Sequence, residues 1–342
     1  MKSAPDSPLP IPHSRFFFTD MFPSITDVLG ILVGHATDER GGTGCTVVLA
    51  PEGGMPCTAF VKGRATGSRE LDACRPESLA GRVDAIALCG GSAYGLAAAD
   101  GVMRWLESRQ RGFAVGPGVI PIVPAAVIFD LMPCGVFDAR PTPEMGMQAC
   151  GAAATHVAEG SVGAGTGATV GKAVGAPRAM KGGVGTWSVR AGDVVTGAIV
   201  VVNAFGDVTD AQGNIIAGAR KESGGFIGCA SYLAKGGMTA GALSPPYRTS
   251  AHNTTLVVIA TNARLGRVQL GGVARAGGDG LARRISPIGT PFDGDVLFAC
   301  SAGAIEAPPI QVEQMAREAV EFAVERAVRA AKGRDSIPGL AD

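Results

Sequence analysis

Asn253-Thr254-Thr255, set directly before the apolar run Leu256 to Ala260, is the tripeptide in this 342-residue chain whose types and order best suit chemistry. A threonine at a chain terminus can act as a nucleophile whose base is its own α-amine, because that amine, with a pKa of about 7.7–8.0, accepts a hydroxyl proton near neutral pH. An internal threonine must first be freed. That requires an upstream peptide bond open to attack by the same hydroxyl, and Asn253–Thr254 supplies one. A Thr at the mouth of a buried strand is held rigidly, while Ala251-His252-Asn253 before it is expected to stay accessible. Residue type and spacing alone favour a plain strand start, since most threonines that begin strands merely suit the β-pleat.

Other motifs fail on spacing. Gly163-Ala164-Gly165-Thr166-Gly167-Ala168 with Gly171-Lys172 resembles a phosphate-cradling loop, but three residues separate Gly167 from Gly171 where a Walker loop needs four, and Ala173 follows the lysine. Asn253-Thr254-Thr255 also fits a glycosylation acceptor, idle without a secretory route. The four histidines (His13, His35, His156, His252) lie in separate elements, and the eight cysteines contain no C-x-x-C pair, so no metal site is expected. Dispersed cysteines in a chain this long read as small buried hydrophobes of a reducing compartment.

Thirty Lys+Arg balance 30 Asp+Glu, which leaves no surplus charge to draw nucleic acid or an acidic membrane. With 46% apolar and 18% charged residues the chain is globular, and its 51 glycines and 22 prolines imply many tight turns. Pro5, Pro8, Pro10 and Pro12 interrupt any secretory h-region, and Pro117, Pro121 and Pro124 interrupt the longest uncharged stretch, so a cytoplasmic protein without a membrane span is expected.

The elements that must position Thr254 can be read from periodicity. Residues 1–23 form a Pro- and Ser-rich tail with one sticky patch, Phe16-Phe17-Phe18. Cys45 to Leu49 and Thr58 to Lys62, separated by Pro51-Glu52-Gly53-Gly54, predict a hairpin. Ala85 to Leu88 predicts a strand that runs through Gly90-Gly91-Ser92 into a helix ending near Gly112. Val127 to Leu131 reads as a strand and Glu144 to Glu159 as a helix. Val194 to Asn203, Thr255 to Ala260 and Asp295 to Cys300 read as central strands of one sheet. Val312 to Val328 carries a continuous apolar stripe with charges opposite and Gly333 as a stop, a clear helix. No linker or fixed repeat breaks the interleaving, so 24–335 is read as one layered domain.

Five motifs occur in one order: Val33-Gly34-His35-Ala36-Thr37-Asp38, Gly41-Gly42-Thr43-Gly44-Cys45-Thr46-Val47-Val48, Gly90-Gly91-Ser92-Ala93-Tyr94-Gly95-Leu96, Ala126-Val127-Ile128-Phe129-Asp130 and Asn253-Thr254-Thr255. This series, within Ile25 to Lys332, resembles the P1 family of self-processing peptidases, which holds the L-aminopeptidase/D-esterases, the β-aminopeptidases and the nylon-oligomer hydrolases. The resemblance implies an α+β fold, a layered αββα-type sandwich similar to N-terminal-nucleophile hydrolases. It further implies autocleavage between Asn253 and Thr254 into an α chain (1–253) and a β chain (254–342).

Site roles follow from the same resemblance. Asp293-Gly294-Asp295 stands where the family carries an acidic or hydroxyl pair, and its Asp-x-Asp form looks more like the nylon-oligomer branch; two carboxylates so close should repel and orient the Thr254 ammonium or hydroxyl. Asn203 is implied as an oxyanion donor, and Lys172 as a charge that keeps the nucleophile's surroundings electropositive. Phe129 stands in the substrate-binding place where several members carry Tyr, and it lacks the hydroxyl's hydrogen bond.

The expected activity is amide hydrolysis of small amino-acid amides, short peptides or ω-amino-acid oligomers, with no cofactor. The partner is a small-molecule or short-peptide substrate, neither nucleic acid nor membrane. The resemblance implies a homo-oligomer, a tetramer of processed units. An acyltransferase resembling ornithine acetyltransferase, or a binding scaffold that lost its chemistry, are the competing readings.

Overall fold

A computed structural model describes residues 23–237 and 253–342, so the expected tail lies outside the described residues apart from Pro23, as do Ala251 and His252. Two five-stranded sheets stack face to face. The first runs in the order β1 (Leu32–Asp38), β2 (Thr43–Leu49), β5 (Ala85–Cys89), β6 (Ala125–Val127) and β4 (Gly67–Arg69). The second runs β7 (Gly183–Ala191), β8 (Val194–Asn203), β9 (Thr254–Ala263), β10 (Val296–Ile305) and β3 (Cys57–Val61). Each is antiparallel except for one parallel pair, β5–β6 in the first and β9–β10 in the second.

Period-2 alternation divides the apolar residues between layers. Val195, Ile199 and Val201 of β8 and Leu256, Val258 and Ala260 of β9 meet Val48, Ile86 and Leu88 of the first sheet in the middle core. Their neighbours Val200, Val202, Val257 and Ile259 face outward under two helices, α3 (Arg267–Arg284) and α4 (Pro309–Arg329). On the opposite outer face Cys45, Val47, Ala87 and Cys89 pack beneath α1 (Ala98–Glu107) and α2 (Pro143–Gly151). The result is the αββα sandwich that the sequence led us to expect. Strands buried on both faces need near-continuous β-branched sequence, and each buried Val or Ile contributes about 1.5–3 kcal/mol.

The three strands expected at the centre of one sheet are neighbours there, as β8, β9 and β10. The expected hairpin is corrected. β2 and β3 lie in different sheets, because β3 finds its partner far along the chain in β10, where Cys57 stands opposite Cys300. The helix expected over 144–159 stops at Gly151, since the chain turns to exchange hydrogen bonds between Ala154 and Val33 at 3.0 and 3.1 Å. The strand expected over 127–131 ends at Val127, which releases Asp130 to bond elsewhere. Among the described residues no helix is long and apolar enough to cross a membrane.

Candidate active site

β8 and β9 are antiparallel while β9 and β10 are parallel, so the end of β8 and the starts of β9 and β10 share one edge of the sandwich. All the site residues expected from sequence meet there. Asn203 is the register partner of Thr254, and both are buried. Asn253 forms an isolated parallel bridge with Asp293 and is only 2% exposed, which corrects the expectation that it is accessible: the sheet edge continues one residue past the strand start. The first sheet contributes Phe129, just beyond β6, and a single-turn helix at Lys172–Val174 contributes Lys172.

The bonds within this cluster are specific. Thr254 Oγ1 donates to the Asn253 carbonyl oxygen at 2.6 Å. Asn203 Oδ1 accepts Lys172 Nζ at 2.7 Å and the Thr169 N–H at 3.0 Å, and its Nδ2 donates to the Phe129 carbonyl at 3.1 Å. That pattern fixes which way the amide points. Phe129 therefore engages Asn203 through its main chain, a contact its side-chain type does not decide.

The two carboxylates are tethered differently. Asp293 Oδ2 accepts the Thr290 amide at 2.8 Å and hydroxyl at 2.7 Å. Asp295 Oδ1 accepts the Thr255 N–H at 2.7 Å, and its Oδ2, also buried, has no hydrogen-bond partner among the described residues. Burial, and then the neighbouring Asp293 charge, push Asp295 up to about 7. Burial also raises Asp293, against the pull of Thr290 and Lys172. Desolvation lowers Lys172 to about 7, with Asp293 opposing it. Asp295 and Lys172, groups of opposite sign, are thus both brought toward neutrality beside one hydroxyl.

Sequence reasoning missed the groups that hold these residues. Gly294 lies between the carboxylates, and a Cβ there would stand 2.7 Å from Thr254 Oγ1 and 2.5 Å from Ala65 O. Asp130, fully buried, accepts Thr43 Oγ1 at 2.7 Å and the Gly91 N–H at 2.6 Å, and burial raises it to about 6. A Cβ at Gly90 would fall 2.0 Å from Asp130 Oδ2, and Gly91 takes a left-handed φ of 77°, so each glycine of the pair has its own reason. Lys181, equally buried, caps the carbonyls of Thr166 and Ala168 at 2.7 and 2.8 Å. The paired glycines are visible in the sequence, but Asp130 lies 39 residues beyond Gly91, and nothing local marks it as what they surround.

A layered αββα sandwich thus brings a buried threonine that opens a central strand, two carboxylates and a lysine to one sheet edge. Residues 23–334 match Peptidase family S58, and the chain belongs to that family. It is 44% identical over 300 residues to an uncharacterized aminopeptidase of Mycobacterium tuberculosis, covering 84% of this chain and 83% of the relative. It is 34% identical over 291 residues to a 6-aminohexanoate-oligomer endohydrolase of Kocuria, covering 82% and 76%. Among solved structures it is similar to a Burkholderia β-aminopeptidase, with TM-score 0.66, 25% identity and 93% and 91% coverage. The L-aminopeptidase D-Ala-esterase/amidase of Ochrobactrum anthropi, described as a new variant of the Ntn hydrolase fold, shares the fold at TM-score 0.67, 21% identity and 95% and 93% coverage. The family and these relatives make the chain a hydrolase of the peptidase and amidase kind.

Proposed function

We propose that the protein cuts itself between Asn253 and Thr254, and then hydrolyses small amino-acid amides, short peptides or ω-amino-acid oligomers through an acyl-enzyme on Thr254. The observation that carries this reading is the Thr254 hydroxyl lying 2.6 Å from the carbonyl oxygen of the preceding residue, both buried between a lysine and two carboxylates. The Asp-x-Asp pair and the 6-aminohexanoate-oligomer endohydrolase relative favour linear ω-amino-acid amides among the substrates.

In the first acyl transfer, Thr254 Oγ adds to the Asn253 carbonyl carbon, the C–N bond breaks, and the hydroxyl proton passes to the leaving nitrogen. Water then cleaves the ester, which gives the Asn253 carboxylate and a Thr254 with a free amine. That amine becomes the base for the substrate reaction. The buried Oδ2 of Asp295, without a hydrogen-bond partner among the described residues, receives the Thr254 ammonium, and Asp293 counters the desolvation that lowers Lys172. Asn203, its amide fixed by Lys172, Thr169 and Phe129, donates to the substrate oxyanion. Phe129 lines the acyl side of the site.

Intact mass and N-terminal sequencing of purified protein test the cut, which should divide the chain before Thr254. A panel of amino-acid amides, short peptides and 6-aminohexanoate oligomers tests turnover beside Thr254→Ala. The variant should stay whole and inactive, and equal turnover by the two proteins would sink the reading. The tetramer of processed units is part of the same proposal; a monodisperse monomer in light scattering would remove it.

A further inference from the structure

We propose that the N–H of Gly294 is the oxyanion donor of the self-cleavage step, and that the strap Lys62–Thr66 holds it on target. This rests on the reading of Thr254 as a self-freeing nucleophile. In the uncut chain the Asn253 carbonyl oxygen accepts the Gly294 N–H at 2.8 Å as well as the Thr254 hydroxyl at 2.6 Å. The carbonyl to be attacked is thus already polarised by a backbone donor.

That donor is itself reinforced. It belongs to the peptide unit Asp293–Gly294, and the carbonyl at the other end of the unit accepts the N–H groups of Arg64 at 2.7 Å and Ala65 at 3.0 Å. Bonds received by an amide's oxygen strengthen the bond its nitrogen gives. The next carbonyls are pinned too: Gly294 O accepts the Thr66 hydroxyl at 3.3 Å, and Asp295 O accepts the Lys62 and Gly63 N–H groups, both at 3.0 Å. A Cβ on Gly63 would stand 2.2 Å from Asp295 N, so the strap lies directly against the loop. A donor fixed before reaction needs no reorganisation as charge develops, which is where such groups gain their effect.

Glycine at 294 permits this approach. Any side chain there would enter the space shared by Thr254 Oγ1 and Ala65 O. As Thr254 Oγ bonds to the Asn253 carbon, the C=O becomes C–O⁻ with its oxygen on the Gly294 N–H. The carbonyl re-forms when the C–N bond breaks and the nitrogen takes the hydroxyl proton.

Replacing Gly294 by glycolate, through suppression with the hydroxy acid, turns this one amide into an ester. It removes the N–H and adds no side chain. Fragment formation should slow on the order of 10²–10³-fold, the usual loss for one oxyanion donor, with the unfolding midpoint close to the parent's. An ester chain that cuts at the parent rate overturns the inference and leaves the Thr254 reading standing; a parent chain that never cuts sinks both. A second measurement does not depend on how the ester folds. In Thr254→Ala protein carrying ¹³C=¹⁸O at Asn253, the carbonyl stretch should fall below that of a free amide, and a stretch at the unbonded frequency overturns the inference.

Discussion

Asn203 and Thr254 stand opposite one another as the last residue of β8 and the first of β9. The amide of Asn203 is also the acceptor for Lys172 Nζ and the Thr169 N–H. Asn203→Ala should therefore lower kcat by about 10²–10³-fold. It should also cost about 1–3 kcal/mol, because buried donors lose their acceptor. Asn203→Asp keeps the acceptor but sets a carboxylate oxygen against the Phe129 carbonyl, so it should recover part of the stability and little of the rate. Steady-state kinetics and urea unfolding of the pair check this; full turnover by Asn203→Ala would contradict it.

Asp295 makes stability depend on pH in a direction that can be stated. Its folded value of about 7 lies above that of the unfolded chain, so between about 4 and about 7 the folded state holds a proton the unfolded state has released. The stabilisation is full below this window and is lost as the pH rises through it. In an uncleavable Thr254→Ala background, Asp295→Asn should gain stability relative to its parent between pH 4 and pH 8. Parallel curves in denaturant titrations across that range would count against the assignment.

Gly294→Ala places a methyl 2.7 Å from Thr254 Oγ1 and 2.5 Å from a backbone oxygen that cannot swing away. Overpacking of this kind costs about 1–3 kcal/mol. Displacing the hydroxyl should remove nearly all cutting and turnover. Mass spectrometry of the purified variant reads the first and a substrate assay the second.

Asp130→Ala leaves the Gly91 N–H and the Thr43 hydroxyl buried without their acceptor. Each such group costs about 1–3 kcal/mol. Because the same segment presents the Phe129 carbonyl to Asn203, turnover should fall along with stability. Asp130→Asn, which keeps one acceptor oxygen, should lose less of both. Equal melting points for Asp130→Ala and the parent would show that the bonds contribute nothing.

What the sequence disclosed followed from how loudly each segment spoke. Val194 to Asn203 is so rich in β-branched residues that its strand limits coincide with those of β8. α3 went unseen because Gly271, Gly272, Gly277, Gly278 and Gly280 erase its stripe, and each glycine costs a helix about 1 kcal/mol against Ala. The fold has a use for two of them. A Cβ at Gly277 would meet Ile259 Cδ1 at 2.5 Å, and one at Gly280 would meet Arg317 O of α4 at 2.5 Å, so tertiary packing decides what propensity opposes. The pairing of β3 with β10 was hidden because local turn residues at Pro51 to Gly54 promised a nearer partner. The residues of the site were legible as types in order, whereas the Gly294 amide and the strap were not. Main-chain groups carry no letter of their own.

The placement of β3 has one more consequence. A break after Asn253 would assign β9 and β10 to the later piece, yet β8 flanks them on one side and β3 on the other, both from the earlier piece. The two polypeptides would be woven together rather than docked. Parting them would require breaking the β8–β9 and β10–β3 ladders inside the sandwich itself.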